Sequence, residues 1–337
     1  MGRKNGMSLR SRHPKFGSPG VLLLALALSC GAAPAEPMDD PTAEAGSTDA
    51  ATHQMVEATR NMARAFAEWL ARGVDSWFGD KPFEDGGRVT DGRLSVAVFK
   101  RQGDQPDLDL RFSAHFRMPN LEHRAYLFVG RDDLRSTIRE KPEALSAQQR
   151  LLAAKPEERS FLAGLGLTLP NGVDVRLGLG ARLKPYVQAR YTRLWAWGPG
   201  QSADFRETIF WSQDERLGST TALTYQIALR QDLALRWLGT ATITQTSRNF
   251  EWSSSLGAYQ SLSGQRLLSF EALVYGTGKS GNGAGRSDFG LLAKWEQPIH
   301  GQRLTGEIVG GHFWPRPDSL SPRGRAWAVG GNLKLRF

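Results

Sequence analysis

From residue 91 to Phe337 the chain consists of short segments in which apolar and polar side chains alternate. In residues 172–183, GVDVRLGLGARL, every second residue is apolar, and the pattern returns in residues 108–118, LDLRFSAHFRM. An alternation with a period of two places the apolar side chains on one face of a β-strand. Glycine, proline, asparagine or aspartate ends each segment, as expected of turns. The pattern therefore predicts an all-β fold for this part of the chain.

The number of alternating segments indicates the size of the fold. Fourteen of them begin near residues 92, 107, 123, 160, 172, 186, 205, 218, 232, 249, 266, 287, 303 and 325. A strand that crosses a membrane needs about 9 to 11 residues, which leaves short turns between consecutive segments. Residues 205–212 and 249–260 alternate poorly, so twelve strands is the alternative to about fourteen.

Three features favour a membrane barrel over a soluble β-sandwich. The polar face is rich in Gly, Ser, Thr and Arg, as in a crowded lumen, rather than in Lys and Glu. Aromatic residues collect near strand ends, as in the girdles at a bilayer interface. An open sheet edge in lipid would leave backbone groups unpaired, so the sheet must close. We therefore expect a closed antiparallel transmembrane β-barrel in the cell outer membrane. The aromatic residues are Trp195, Trp197, Phe210, Trp211, Phe250, Trp252, Trp295, Phe313 and Trp314.

One long segment interrupts the alternation. Residues 131–159, RDDLRSTIREKPEALSAQQRLLAAKPEER, are rich in charged residues and helix formers. We interpret this segment as a partly helical loop that lies outside the membrane.

The first 35 residues predict a secretory signal peptide. A cationic stretch over residues 1–20 precedes the apolar run VLLLALAL at 21–28, and small residues end at Ala35, after which we expect cleavage. These residues contain five of the 43 Lys and Arg and no acidic residue, so the pI near 9.9 reflects targeting more than nucleic-acid binding. The alternative is a lipoprotein signal that modifies Cys30, the single cysteine of the chain.

Between this signal and the barrel we expect a linker and a helix. Residues 36–50 are acidic, small and contain proline, which indicates a flexible linker. In residues 51–90, Met55, Met62, Phe66 and Trp69 follow a helical spacing that ends at Gly73, before the aromatic turn WFGD at 77–80. We expect a periplasmic amphipathic helix that packs on its own barrel, binds a partner or plugs the lumen.

The inward face of the clearer strands carries more basic than acidic residues. A mildly cationic lumen favours the passage of anions, whereas pairing of these charges across the lumen would fill it. The lumen-facing candidates are Arg111, Arg117, Arg176, Arg182, Arg190, Arg236, Lys294, Lys334, Asp109, Asp174, Glu271 and Glu307.

The sequence identifies no catalytic, cofactor-binding or metal-binding residue. Outer-membrane lipid-modifying enzymes need a Ser and a His placed together. His115 and His312 lie in expected strands and Ser253 to Ser255 form the densest serine cluster, but spacing does not pair them. Residues 276–285, GTGKSGNGAG, lack the spacing of a phosphate-binding loop and fit a hairpin loop.

The last strand and several internal stretches carry a resemblance. The strand with Leu333, Leu335 and a final Phe337 resembles the assembly signal of Gram-negative outer-membrane barrels. The stretches WFGD at 77–80, PYVQARY at 185–191, TIFWSQDERLGSTT at 208–221 and FEWSSSLGAYQSLS at 250–263 are similar to a family of uncharacterised proteobacterial outer-membrane barrel proteins. The resemblance implies contact with outer-membrane lipid and with the barrel-assembly machinery. It implies no activity.

Three functions remain open from the sequence. The first is a structural or partner-binding envelope protein whose helix at 52–72 docks on a periplasmic partner. The second is a mildly anion-preferring pore for small solutes. The third is a lipid-modifying enzyme of the outer membrane. We expect neither a nucleic-acid partner nor a cofactor.

Overall fold

The fold is known from a computed structural model of the chain. It describes Gln54 and residues 56–61, 88–117, 124–142, 144–145, 148, 151, 159–180, 183–198, 200–246, 249–279, 286–301, 303–316 and 321–337. The chain divides into one unit at Met1–Gly46 and a second at Ser47–Phe337, and every described residue belongs to the second.

The second unit contains a closed antiparallel barrel of fourteen strands. In the ring each strand neighbours the strands before and after it in sequence, and the first pairs with the last. The strands are β1 (Arg88–Arg101), β2 (Asp107–Arg117), β3 (Ala125–Asp133), β4 (Arg159–Leu169), β5 (Val173–Leu179), β6 (Pro185–Ala196), β7 (Gln201–Ser212), β8 (Arg216–Ala228), β9 (Leu233–Thr244), β10 (Asn249–Leu262), β11 (Arg266–Lys279), β12 (Arg286–His300), β13 (Leu304–Trp314) and β14 (Ala326–Arg336).

This architecture confirms the expected fold class. Fourteen strands are present rather than twelve, and each begins within four residues of its expected start. Three-residue 3₁₀ turns at Pro170–Gly172 and Ser263–Gln265 join β4 to β5 and β10 to β11. Their central residues Asn171 and Gly264 have positive φ angles of 63° and 74°, which Asn and Gly tolerate well.

The outer face of the barrel is apolar and exposed. Along each strand exposed residues such as Leu108, Leu177 and Ile308 alternate with inward polar ones. A closed sheet with such an exterior satisfies its backbone groups internally, so it is suited to lipid. The chain is therefore an outer-membrane β-barrel protein.

Not every expected girdle aromatic faces outward. Trp197, Trp211 and Phe250 are exposed, as a girdle requires. Phe210 and Phe313 are 1% exposed and pack in clusters on the inner wall, so their assignment to a girdle was wrong.

The last residue fastens the closure of the barrel. β1 and β14 pair over nine residues, from Arg93 opposite Arg336 to Arg101 opposite Ala328. The Phe337 N–H donates to the Gly92 carbonyl at 3.0 Å, and its ring stacks on Phe112 with a centroid distance of 6.2 Å. A Cβ atom at Gly92 would collide with the Phe337 ring in its present position, so a larger residue there would displace the ring. Leu335 is buried and Leu333 is exposed on the same outer face.

The described part of the segment between β3 and β4, which we expected to form a partly helical loop outside the membrane, lies inside the barrel. We call residues 134–158 the lumen loop; its described part is 134–142, 144–145, 148 and 151. It begins with helix α1 (Leu134–Arg139), whose first turn is capped by the Asp133 carboxylate through the Ser136 N–H at 2.7 Å. Partners on the inner wall, far away in sequence, hold it inside.

The described part of the N-terminal helix lies against its own barrel. Residues 56–61 are helical, Val56 is buried, and Glu57 forms an ion pair with Arg303 of the β12–β13 turn. The signal peptide with Cys30 and Ala35, the linker at 36–50, most of the helix at 52–72 and the WFGD turn lie outside the described residues, so those predictions are untested.

Candidate functional site in the barrel lumen

The lumen loop is anchored on two apolar patches of the inner wall. The first is the β3–β7 patch, formed by Phe128, Leu162, Tyr186 and Phe210, on which Ile138 and Leu134 of α1 pack. The second is the β11–β14 patch, formed by Leu273, Leu292, Val309, Phe313 and Ala328, on which Leu151 packs. Three strands, β8 to β10, separate the two patches on one side of the ring and two strands, β1 and β2, on the other, so the patches face each other. The loop therefore crosses the lumen from one side to the other.

A glycine on the neighbouring strand makes room for an aromatic ring of the β3–β7 patch. A Cβ atom at Gly178 would lie 2.5 Å from Cζ of Tyr186, closer than packed atoms allow. The ring of Tyr186 therefore packs closely against Gly178 of β5. It also belongs to the apolar cluster that contains Ile138 of α1.

Arg139 at the end of α1 is bound by two carboxylates. Its guanidinium donates to Glu215 through Nε at 2.9 Å and Nη2 at 2.6 Å, and to Glu251 through Nη1 at 2.7 Å. Burial alone would lower the pKa of Arg139, but Glu215 and Glu251 outweigh it and hold the pKa above its ordinary value. Arg139 therefore stays charged, and the two-pronged contact with Glu215 fixes its orientation.

Glu140 is bound by a different part of the wall. It ends α1 in the left-handed conformation, with φ 48° and ψ 43°, so the chain turns between Arg139 and Glu140. Its carboxylate accepts from Arg176 at 2.5 Å, from Arg190 at 3.0 Å and from Gln188 at 3.1 Å. Two consecutive residues of opposite charge thus hold the loop to β5 and β6 on one side and to β10 and the β7–β8 turn on the other.

Further along the loop, Gln148 is held by β10 and β11. Its side-chain amide donates to Ser255 Oγ at 3.1 Å and also to Glu271. Ser255 and Glu271 are buried inward-facing residues near the middle of their strands. The lumen loop therefore descends to about half the depth of the barrel.

Below the loop the lumen contains several neighbouring cavities. Three cavities of about 470, 420 and 510 Å³ share lining residues, since Arg176 and Arg190 line the first two, and Arg206 and Lys334 line the first and third.

Basic residues outnumber acidic residues around these cavities. The twelve basic residues are Arg93, Arg111, Arg117, Arg124, Lys141, Arg176, Arg190, Arg206, Arg236, Lys294, Lys334 and Arg336. The eight acidic residues are Asp91, Asp109, Asp132, Glu140, Asp174, Glu271, Glu296 and Glu307.

Of the lumen-facing residues that we expected from the sequence, all but Arg182 line these cavities. Arg182 lies outside the described residues. Several of the others are paired: Arg111 with Asp109 at 2.7 Å, Arg176 with Asp174 at 3.0 Å and Lys334 with Glu307 at 2.8 Å. Part of the expected charge is therefore neutralised within the wall.

The structure does not bring together the residues considered for catalysis. The ring of His115 contacts Tyr126 and Phe128, whereas Ser253 shares a hydrogen bond of 2.6 Å with Thr240. His312 lies on the outer face against Trp314. None of these contacts forms a Ser–His pair among the described residues.

The sequence analysis missed Arg139, Glu140, Glu215 and Glu251, which bind the loop, and the lumen arginine Arg206. Three of the four stretches that carry the family resemblance supply wall residues for the loop, namely Gln188 and Arg190, Glu215, and Glu251. Those motifs could have indicated that the wall residues matter. The motifs alone do not indicate that their partners lie in the loop.

Known proteins of this architecture are outer-membrane barrels. No protein-family profile matches this chain, and no curated protein matches it. Similar solved structures include the outer membrane channel DcaP of Acinetobacter baumannii, 9% identical with a TM-score of 0.47 over 77% of this chain and 99% of that one. An anion-selective porin from Comamonas acidovorans is 9% identical, with a TM-score of 0.43 over 74% of this chain and 100% of that one.

A third similar structure is a loop L8 deletion mutant of OmpT, an outer membrane protein of Vibrio cholerae. It is 8% identical, with a TM-score of 0.46 over 75% of this chain and 100% of that one. At such identities the likeness concerns the barrel fold alone.

Proposed function

We propose that this protein is a narrow outer-membrane pore that prefers small anions. The observation that carries the proposal is the excess of basic over acidic residues around three cavities that share lining residues below the lumen loop. Rings of Arg and Lys lower the free energy of an anion in a pore and raise that of a cation. In this proposal the lumen loop narrows the passage to small solutes.

Arg206 supports the same proposal. It lines the cavities of 470 and 510 Å³, and its Nε–H is buried and donates to no hydrogen-bond acceptor in the described part of the chain. Unlike Arg111 and Arg176 it forms no ion pair with a described carboxylate, so its charge is available to a passing anion.

The alternative of a partner-binding envelope protein has less support. The described part of the N-terminal helix pairs with Arg303 of its own barrel. A periplasmic partner for residues 52–72, and membership of the uncharacterised proteobacterial family, remain predictions.

Planar-bilayer recordings test the proposed pore. In a KCl gradient we expect stable conductance steps whose reversal potential indicates that chloride permeates better than potassium. Arg206→Glu should shift the reversal potential toward potassium, because it replaces an unpaired cation inside the lumen by an anion. Arg230→Glu is the matched control, since Arg230 is exposed in the β8–β9 turn and pairs with Asp232. Absence of steps, or a preference for potassium in the native protein, would contradict the proposal.

A further inference from the structure

The 510 Å³ cavity below the lumen loop has two chemically different sides. Arg206, Arg236, Lys294 and Lys334 contribute positive charge. Phe99, Leu238, Leu292 and Val309 contribute apolar surface. Ligand sites of a few hundred cubic ångströms commonly combine an apolar wall with a few placed polar groups.

The positive side is neutralised only in part, because glutamates pair with the two lysines, as Glu296 does with Lys294 at 3.7 Å, but not with the two arginines among the described residues. Glu271 and Glu307 are the acidic residues of this cavity, and both are engaged, Glu271 by Tyr259 at 2.8 Å and by Gln148, and Glu307 by Lys334 at 2.8 Å. Neither Arg206 nor Arg236 forms an ion pair with a carboxylate among the residues that the structure describes.

Arg236 is nevertheless held in position. Its guanidinium donates to the Tyr259 hydroxyl and lies 4.2 Å from the centroid of the Tyr259 ring. A contact with an aromatic ring orients the guanidinium and leaves its charge in place. An arginine fixed in this way is prepared to bind a carboxylate through its remaining donors.

The apolar side restricts the kind of anion that fits. A small hydrated anion would satisfy the arginines but would leave Phe99, Leu238 and Val309 against water. A neutral hydrocarbon would cover the apolar side but would leave two arginines without a counter-charge. A carboxylate attached to a compact apolar body satisfies both sides at once.

We propose that this cavity is a binding site for small organic carboxylates with an apolar body, of the benzoate class. The carboxylate lies between Arg206 and Arg236, and the apolar body lies toward Phe99, Leu238 and Val309. The inference rests on the proposed pore, because it names the class of anion that the pore takes up.

Calorimetric titration of the full barrel in detergent with sodium benzoate and sodium acetate tests the site. We expect benzoate to bind about tenfold more tightly than acetate, since only benzoate covers the apolar side. Arg206→Gln combined with Arg236→Gln should weaken benzoate binding by about tenfold or more, because each arginine contributes charge-assisted hydrogen bonds. Arg117→Gln is the matched control, since Arg117 faces the lumen but does not line this cavity.

A second variant addresses the apolar side and guards against misfolding. Leu238→Asn nearly keeps the shape of the side chain but makes it polar, so it should weaken benzoate binding while leaving acetate binding unchanged. Equal affinities for benzoate and acetate, or undiminished benzoate binding in the double arginine variant, would overturn the site. Chloride-selective steps without a preference for benzoate would overturn the site but keep the pore. Benzoate binding in a barrel that never conducts would support the site and refute the pore.

Discussion

Arg139 and Glu140 are adjacent in the chain, yet different walls of the barrel bind them. Arg139 reaches Glu215 and Glu251, whereas Glu140 reaches Arg176, Arg190 and Gln188. A buried charge is costly unless it is paired and hydrogen-bonded. Because both charges are paired only when the loop lies in the lumen, they select this position over a position in solvent.

Replacement of Arg139 by methionine should therefore destabilise the barrel. It leaves Glu215 and Glu251 without their main cation, and removal of one partner from a buried pair costs about 3 to 5 kcal/mol. Urea unfolding in lipid vesicles measures this loss. Arg135→Met is the matched control, since Arg135 approaches the same Glu215 at 3.4 Å but is 73% exposed, and its loss should cost about 1 kcal/mol or less. Equal effects of the two substitutions would contradict the assigned role of Arg139.

At the residue scale the sequence predicted lumen residues where alternation was clean. Arg176 and Arg190 were found because β5 and the start of β6 alternate regularly. Arg206 was missed because two neighbours break the alternation of β7. Phe210 faces inward to form the β3–β7 patch, and Glu207 faces outward, where it accepts from Thr221 at 2.6 Å and from Ser219. Phe210 and Glu207 are stabilised by contacts with other strands, and an alternation with a period of two does not reveal such contacts.

At the scale of elements, the lumen loop behaves as part of the core. Its Leu151 is 3% exposed, and it fills a position on the β11–β14 patch. Among its described charged residues, Arg139 and Glu140 are bound to partners on two walls and are not exposed to solvent. The sequence predicted the existence and partial helicity of the segment. It could not predict the inward position, because the partners lie some 36 to 123 residues away.

Truncation of Leu151 to alanine should release the far end of the loop. Replacement of a buried leucine by alanine costs about 2 to 5 kcal/mol in lost packing and cavity formation. In this protein that free energy holds the loop against the wall, so its loss favours detachment. We expect faster cleavage by proteinase K within residues 134–158, measured by mass spectrometry on barrels in vesicles. Leu108→Ala, on the exposed outer face, should leave cleavage of the loop unchanged. Unchanged cleavage in the Leu151 variant would show that the β11–β14 patch does not hold the loop.

At the scale of the whole molecule, closure of the sheet explains why the strand count was predictable. In lipid each backbone group needs a partner, so every strand must be long, regular and bounded by turns. These requirements are local and leave a pattern in the sequence. The contents of the lumen follow instead from long-range pairing, which has no fixed spacing. Recognition of Phe337 by the barrel-assembly machinery stays a prediction that the geometry of the seam does not test.

The position of the lumen loop can be tested by chemical cross-linking. The single native cysteine, Cys30, belongs to the predicted signal peptide. Cross-linking in the barrel would therefore involve only the cysteines introduced there. Gln148 and Ser255 are in side-chain contact at 3.1 Å inside the barrel, whereas Ser254 faces outward, where it accepts from Trp237.

A short bifunctional thiol reagent should therefore link Gln148→Cys to Ser255→Cys in the folded, membrane-inserted barrel and should fail to link Gln148→Cys to Ser254→Cys. That result is the one expected of a loop bound across the lumen. A barrel that inserts normally but links neither pair, or both equally, would contradict it.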